Sequence, residues 1–541
     1  MDGRAKPGQD EIGGDPAPYP GRGLRLLRPR PARAVLDTRI KREALADARR
    51  SRRPAIYESV WLCYEARRRL SLDGFGLTLN QASGSGISTG FSMTSIRPST
   101  TAAESGVLLS RAKGAALPGY AKDLPLSLLC LLLGPLVYAA SLATVAAMLV
   151  LTSVALIVSR HDGVPIIAKS VRALAVVAPL LAWMLASATW SLDGAASVDV
   201  TLRVAALFLS GTLLVTSFAL MPLGRLRRPL MSVALGFSAA AVAVVVDLKL
   251  GGHLARFLRE PRLDGIDPAL AYGRAATLHA ILLVPVFVGL LRLGVPRLAV
   301  GYALLAAVAI LEISSLSAKT ALAASLLAFA AVLILPRLRW IGLAFLGCAA
   351  VALPLIFPVP LGVETTCWLA DHKPSALHRI EIWGFVAEHI RQRPIAGWGL
   401  DAARRLPGGT APVIIHHCDD SDRPDGIALS NEVLPLHPHN AILQAWIELG
   451  GVGAALGFGP LIFVIGRAFR NPAWRTPSAQ AMIAGTMTAA VSVGLISFGI
   501  WQEWFLSSLF IAAALVVVAA RQSAAAAFQR TIPSRAGVRE V

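Results

Sequence analysis

From residue 124 to residue 520 the chain alternates between apolar runs and short polar breaks, and no other feature limits the possible folds as much. The runs are about 17–22 residues long, and at 1.5 Å per residue that suits the roughly 30 Å hydrocarbon layer of a bilayer. Twelve are read: 124–141, 143–159, 173–189, 203–221, 230–247, 275–291, 298–313, 320–336, 340–358, 449–466, 479–499 and 504–520. The first two nearly fuse, so eleven is the alternative. Composition agrees, with 55 % hydrophobic and 16 % charged residues, where a soluble chain carries about 25 % charged. The expected fold class is an all-α polytopic membrane protein.

The net charge of +19 would by itself fit nucleic-acid binding, but its distribution argues for topology. With twelve helices and a cytosolic N-terminus, each inside loop is basic: Arg160, Lys169 and Arg172; Arg225, Arg227 and Arg228; Arg292 and Arg297; Arg337 and Arg339; Arg467, Arg470 and Arg475. The short outside breaks are acidic or nearly bare, as the positive-inside rule requires. No nucleic-acid partner is expected.

Three domains are expected. Residues 1–122 are basic and rich in Gly, Pro, Ser and Arg, and read as a disordered cytosolic tail, with a start at Met93 as the alternative. Residues 123–520 form the transmembrane domain. Residues 521–541 form a cytosolic C-terminal tail.

Three outside segments carry positive charge against the rule. The first is 248–274, with Arg274 at its end; the second is the short 314–319, ending in Lys319; the third is the loop 359–448 between helices 9 and 10. That loop holds seven of the ten histidines. Loops longer than about 12–15 residues are commonly functional. Within it, 375–392 has helical periodicity, Pro394 stops the helix, and Gly397-Trp398-Gly399 forms a turn.

The run His437-Pro438-His439-Asn440-Ala441-Ile442-Leu443-Gln444, followed by Glu448-Leu449-Gly450, resembles the hallmark of the O-antigen ligase and polymerase family of bacterial envelopes. Arg379-Ile380-Glu381-Ile382-Trp383 with Pro394-Ile395-Ala396-Gly397-Trp398-Gly399 resembles that family's second motif. Ser315-Leu316-Ser317-Ala318-Lys319-Thr320 resembles its basic motif, with Lys where the family often has Arg and with Ala318 added before it. Trp190-Ser191 and Arg203 fit a weaker fourth motif. The resemblance covers about 124–520 and implies a GT-C-like membrane glycosyltransferase of the inner membrane, with its active site in the periplasmic loop. It implies an undecaprenyl-diphosphate-linked glycan as donor. The acceptor is the lipid A core in ligases and a second lipid-linked glycan in polymerases.

A sugar hydroxyl is a poor nucleophile near pH 7 and gains from a positioned general base. His439 takes that role in this reading, with His437 beside it on one face if the segment is extended. The leaving diphosphate needs fixed cations. Arg379 and Lys319 are the first candidates, and Arg203 and Arg274 follow. Asn440, Glu381 and Glu448 are candidate supports. Cys367 and Cys418 are the cysteines of the outside loop, and an oxidising compartment makes a disulfide between them reasonable. His416-His417-Cys418-Asp419-Asp420 has metal-ligand chemistry but no standard zinc spacing, so neither metal nor cofactor is expected. The rival class is a lipid-linked glycan transporter, which typically shows internal repeats. None is seen between the first and last six runs.

Overall fold

The computed structural model describes residues 119–160, 165–259, 267–359, 361–416 and 427–531. The tail up to residue 118, the alternative start at Met93, Cys418 and residues 532–541 lie outside the described residues. The chain divides into two units. Leu361–Thr366 are the described part of one, and the other described residues form the second.

All twelve apolar runs are helical, and together they make a multi-pass membrane protein. In chain order the first helices are α1 (Gly119–Ala139), α2 (Thr144–Ser159), α3 (Ile166–Leu174), α4 (Ala178–Ser187), α5 (Gly194–Leu220), α6 (Leu223–Lys249) and α7 (His253–Arg259). Next come α8 (Gly273–Arg292), α9 (Pro296–Glu312), α10 (Leu316–Ile334), α11 (Leu338–Ile356), α12 (Val363–His372) and α13 (Pro374–Gln392). After a hairpin, the chain finishes with α14 (Ala441–Arg470), α15 (Pro477–Ile496) and α16 (Glu503–Thr531).

Nine helices among the described residues are long and apolar enough to cross a membrane, and a tenth is counted if α3 and α4 are one span bent by 54°. The expectation of twelve is therefore met only in part by length and composition. The bend falls where Pro179, in the first turn of α4, cannot donate a helical N–H. α9 has 17 residues, about 26 Å at 1.5 Å each, short of a full hydrocarbon layer.

α8 is the central helix, with almost every residue from Ala275 to Leu290 buried. A helix that is apolar on every face belongs inside a bundle. α10 lies along α15, where a β-carbon on Gly485 would come within 2.9 Å of the Ser325 carbonyl oxygen.

The long loop is not wholly helical. β1 (Pro412–His416) and β2 (Ile427–Glu432) pair antiparallel, Pro412 opposite Glu432, with an irregularity between Ile415 and His416. The loop also has its own small core. Ile382, Val386 and Ile390 of α13 pack with Ala403, Leu406 and Leu434, and against Leu443 and Ile447 of α14. This core anchors α13 and the histidine segment to the start of α14.

Candidate functional site

α14 begins eight residues earlier than the hydropathy of 449–466 suggests, directly after His439 and Asn440. Asn440 is the reason. Its side-chain oxygen accepts from the N–H groups of Ile442 and Leu443, both at 3.0 Å, and so caps the helix. His439, one residue before the cap, has φ 54°, in the left-handed region that non-glycine residues rarely occupy. The segment is therefore not extended at His439, which was the condition for placing both histidines on one face. The two imidazoles still meet, with ring centroids 4.5 Å apart, because His439 N–H donates to His437 Nδ1 at 3.1 Å.

The protonation of His439 follows from its partner. Its Nδ1 lies 2.6 Å from the carbonyl oxygen of Ser497, just past the end of α15. A carbonyl can only accept, so Nδ1 carries the hydrogen and, in the neutral ring, Nε2 holds the lone pair. No partner occupies that Nε2 among the described residues. Burial holds the His439 imidazole below the ordinary histidine range, and the Arg379 and His378 charges add to this against the opposing Ser497 bond. His437 is pushed down to about 3 by burial, with His439 and Arg404 adding to it. It is a fixed neutral acceptor that holds the turn. Trp383 of α13 closes the bracket, its indole N–H donating to the Pro438 carbonyl at 2.8 Å.

The candidate cations differ in what they already touch. Arg379 is half-buried and makes no hydrogen bond or ion pair among the described residues. Burial lowers its guanidinium from its usual range but leaves it a cation. Lys319 sits in the first turn of α10, whose N-cap is Ser315, and is likewise without a side-chain partner among the described residues. Arg203 is already engaged by Asp199 at 2.7 Å and by Glu503. Arg274 is exposed and lies 6.0 Å from the Trp504 ring.

Glu381 has no partner among the described residues, and burial raises its carboxyl above the usual range. Glu448 faces inward. It accepts from Trp501 Nε1 at 2.7 Å, from Gln444 Nε2 at 3.1 Å and from the Asp401 backbone. Those bonds occupy it, and none of them reaches His439 or Arg379. Cys367 is disulfide-bonded, and Cys418 lies outside the described residues, as do His417, Asp419 and Asp420.

The Pro394–Gly399 turn has a structural task. Within α14, Gly450 adopts φ 66° and ψ −172°, which breaks the helix. Gly451 N–H would ordinarily donate to the Ile447 carbonyl. It donates instead to Pro394 O at 2.8 Å, and Ile447 O accepts from Trp398 N–H at 2.9 Å. Val452 N–H turns likewise to Ile395 O at 3.2 Å, and Glu448 O accepts from Gly399 N–H at 2.8 Å. Buried backbone freed from a helix must find other partners, and this turn supplies them. The fit excludes side chains. A β-carbon on Gly450 would come within 2.1 Å of Ile395 O, and one on Gly397 within 2.6 Å of Glu448 O. Trp190 and Ser191 hold the same turn, donating to Ala396 O at 3.3 Å and Leu400 O at 3.4 Å.

Sequence reading missed Ser497, Gln502, Trp501 and Trp183. Gln502 faces His437 Nε2 at 3.1 Å, and Trp183 donates to Leu449 O at 3.0 Å. Only the indoles give any signal in advance, since a buried Trp N–H needs an acceptor.

A model of the O-antigen ligase family matches residues 300–458, from α9 into α14. A protein of Rickettsia conorii named "Putative polysaccharide ligase" is 35 % identical over 136 residues, 25 % of this chain and 30 % of that one. Its namesakes in Rickettsia prowazekii and Rickettsia bellii are 34 % identical over 136 residues and 31 % over 158. The matched stretch spans 30 % of the Rickettsia prowazekii protein and 36 % of the Rickettsia bellii one. Over residues 300–458, which include Lys319, Arg379, His437 and His439, the chain carries a family-level match to the O-antigen ligases.

Proposed function

We propose that this chain is a membrane glycosyltransferase that moves a glycan from undecaprenyl diphosphate to a sugar hydroxyl, in the manner of an O-antigen ligase acting on lipid A core. The observation that carries the reading is that, among the described residues, the Nε2 lone pair of His439 is free and lies in the electrostatic reach of an Arg379 guanidinium without an ion-pair partner. His439 Nε2 takes the acceptor hydroxyl's proton as the oxygen attacks the anomeric carbon. The bond from that carbon to the phosphate oxygen breaks, and its electron pair leaves with the diphosphate. Direct displacement of this kind inverts the sugar carbon. Arg379, as a two-pronged donor, and Lys319, as a point charge, stabilise the developing phosphate charge. Arg203 and Arg274 are outer members of the same set, Arg203 the weaker because two carboxylates already hold it.

Domain 123–520 performs the reaction in the inner membrane, and the basic breaks set the 359–448 loop on the periplasmic side. Cys367 is paired with Cys418 in this reading.

The test supplies purified full-length protein in lipid with an undecaprenyl-diphosphate-linked repeat unit, with and without a lipid A-core acceptor. Transfer only with the core acceptor supports the ligase reading. A ladder of longer lipid-linked chains without it makes the protein a polymerase, and no product from several donor sugars returns the transporter reading.

A further inference from the structure

The opposite end of α14, some thirty residues from His439, carries a second concentration of cations. There the α14–α15 elbow and the start of α11 line two open clefts, of about 450 and 280 Å³, that share Arg470. The first is also lined by Arg467 and Trp474, the second by Arg339, Trp340, Arg475 and Gln480. No carboxylate among the described residues lines either cleft, and the sequence has no Asp or Glu from 313 to 363 or from 449 to 502. Among the described residues none of these four arginines forms an ion pair.

A basic loop explains positive charge but not this geometry. The Arg339 and Arg470 guanidiniums each lie 5.3 Å from the centroid of Trp340, which positions both at the cleft wall. Arg339 donates from Nη1 to the Pro336 carbonyl, while its Nε is buried without a hydrogen-bond partner among the described residues. Gln480, 3 % exposed, donates from Nε2 to the carbonyls of Trp474 at 2.7 Å and Phe469 at 3.3 Å. Only an amide N–H can donate to a carbonyl, so the orientation of this side chain is fixed. Its Oε1 is consequently a buried acceptor, and it has no donor among the described residues. The site thus lacks two things, an anion for the arginines and a hydroxyl for Gln480. An apolar flank adjoins it. Val464 lines the first cleft, and Phe463, Val464 and Ile334 are 60 %, 52 % and 75 % exposed on membrane-spanning helices.

We propose that these clefts bind the headgroup of a hydroxyl-bearing anionic phospholipid of the phosphatidylglycerol class. The arginines hold the phosphodiester, Gln480 Oε1 accepts from a headgroup hydroxyl, and the acyl chains run along the Val464 flank. The proposal is independent of the glycosyl-transfer reading.

Native mass spectrometry of the full chain in detergent tests it, with phosphatidylglycerol, phosphatidylmethanol and phosphatidylcholine compared at equal concentration. Phosphatidylglycerol is expected to stay bound and phosphatidylcholine not. Phosphatidylmethanol, which has the phosphodiester without the hydroxyls, should bind about fivefold more weakly, the worth of one hydrogen bond. Arg339→Gln with Arg470→Gln should cut phosphatidylglycerol retention about tenfold. Equal retention of phosphatidylcholine overturns the anion site, and equal retention of phosphatidylmethanol overturns the role of Gln480. Competition by glycerol 3-phosphate as strong as by the lipid would make this a soluble phosphate-ester site and overturn the lipid assignment. The wild-type lipid series decides the matter even if the double variant does not fold.

Discussion

His439 Nδ1 lies 2.6 Å from the carbonyl oxygen of Ser497, and this bond joins the histidine segment to the end of α15 across 58 residues of sequence. It settles which ring nitrogen carries hydrogen. It also ties the proposed base to the helix along which α10, the helix of Lys319, is packed. A proposed base on a long loop is thereby held by three rigid elements: α13 through Trp383, α14 through the Asn440 cap, and α15 through Ser497.

Arg379 tests the cation assignment. Arg379→Ala should lower the rate of glycan transfer about 10²–10³-fold, the usual cost of removing a group that stabilises transition-state charge. Membrane insertion and expression should stay normal, because the guanidinium has no partner among the described residues. Arg379→Lys should recover part of the rate through its point charge. Kinetics of the two variants at matched expression provide the check, and an unimpaired Arg379→Ala would remove Arg379 from the reaction.

The pH profile tests the environment of His439. The base must be neutral to act, so activity is lost as pH falls through its folded-state pKa. Burial, Arg379 and His378 hold that value below the ordinary 6.5. The acidic limb of kcat/KM should accordingly fall below about 6.5. In Arg379→Gln one depressing charge is gone, and the limb of the residual activity should move to higher pH. An unmoved or lowered limb contradicts the assignment.

Trp383 tests the bracket. Trp383→Phe keeps most of the ring but leaves the buried Pro438 carbonyl without its donor. The expected cost is about 1–3 kcal/mol of stability, read from thermal unfolding. Transfer should fall about 10–100-fold, since a small displacement of a catalytic group is costly. Full activity would mean that the Ser497 bond alone positions His439.

His437 should make the protein acid-sensitive. Its folded imidazole stays neutral down to about 3, while the unfolded one takes a proton below about 6.5. Lowering the pH through that window therefore favours unfolding, by about 1.4 kcal/mol per unit. Stability measured from pH 7 to pH 4 should decline less steeply in His437→Gln than in the wild type. Parallel declines would show that His437 is not the group responsible.

The twelve helical runs were legible because apolar length is a local property, and so was α13, whose stop at Pro394 is written beside it. The start of α14 was not, because Gln444 and Glu448 lower the hydropathy of its first two turns. Those side chains are bonded to each other and to Trp501, so a helix tolerates them there. Asn440 could be named as a support but not as a cap, since that task depends on the earlier helix start. His439 and Arg379 were nameable as residue types in motifs. The Nδ1 bond to Ser497 and the indole bonds of Trp183, Trp190 and Trp383 link residues 58, 266, 206 and 55 positions apart, and no local pattern reports such pairs. The β-hairpin escaped because its strands are short and the stretch around it is polar.

The most direct measurement is glycan transfer by His439→Ala, purified in lipid with an undecaprenyl-diphosphate-linked donor and the acceptor that the wild type uses. If His439 Nε2 removes the hydroxyl proton, the variant inserts and expresses normally and loses transfer by about 10²–10⁴-fold. Wild-type product from a well-expressed His439→Ala protein would contradict the account.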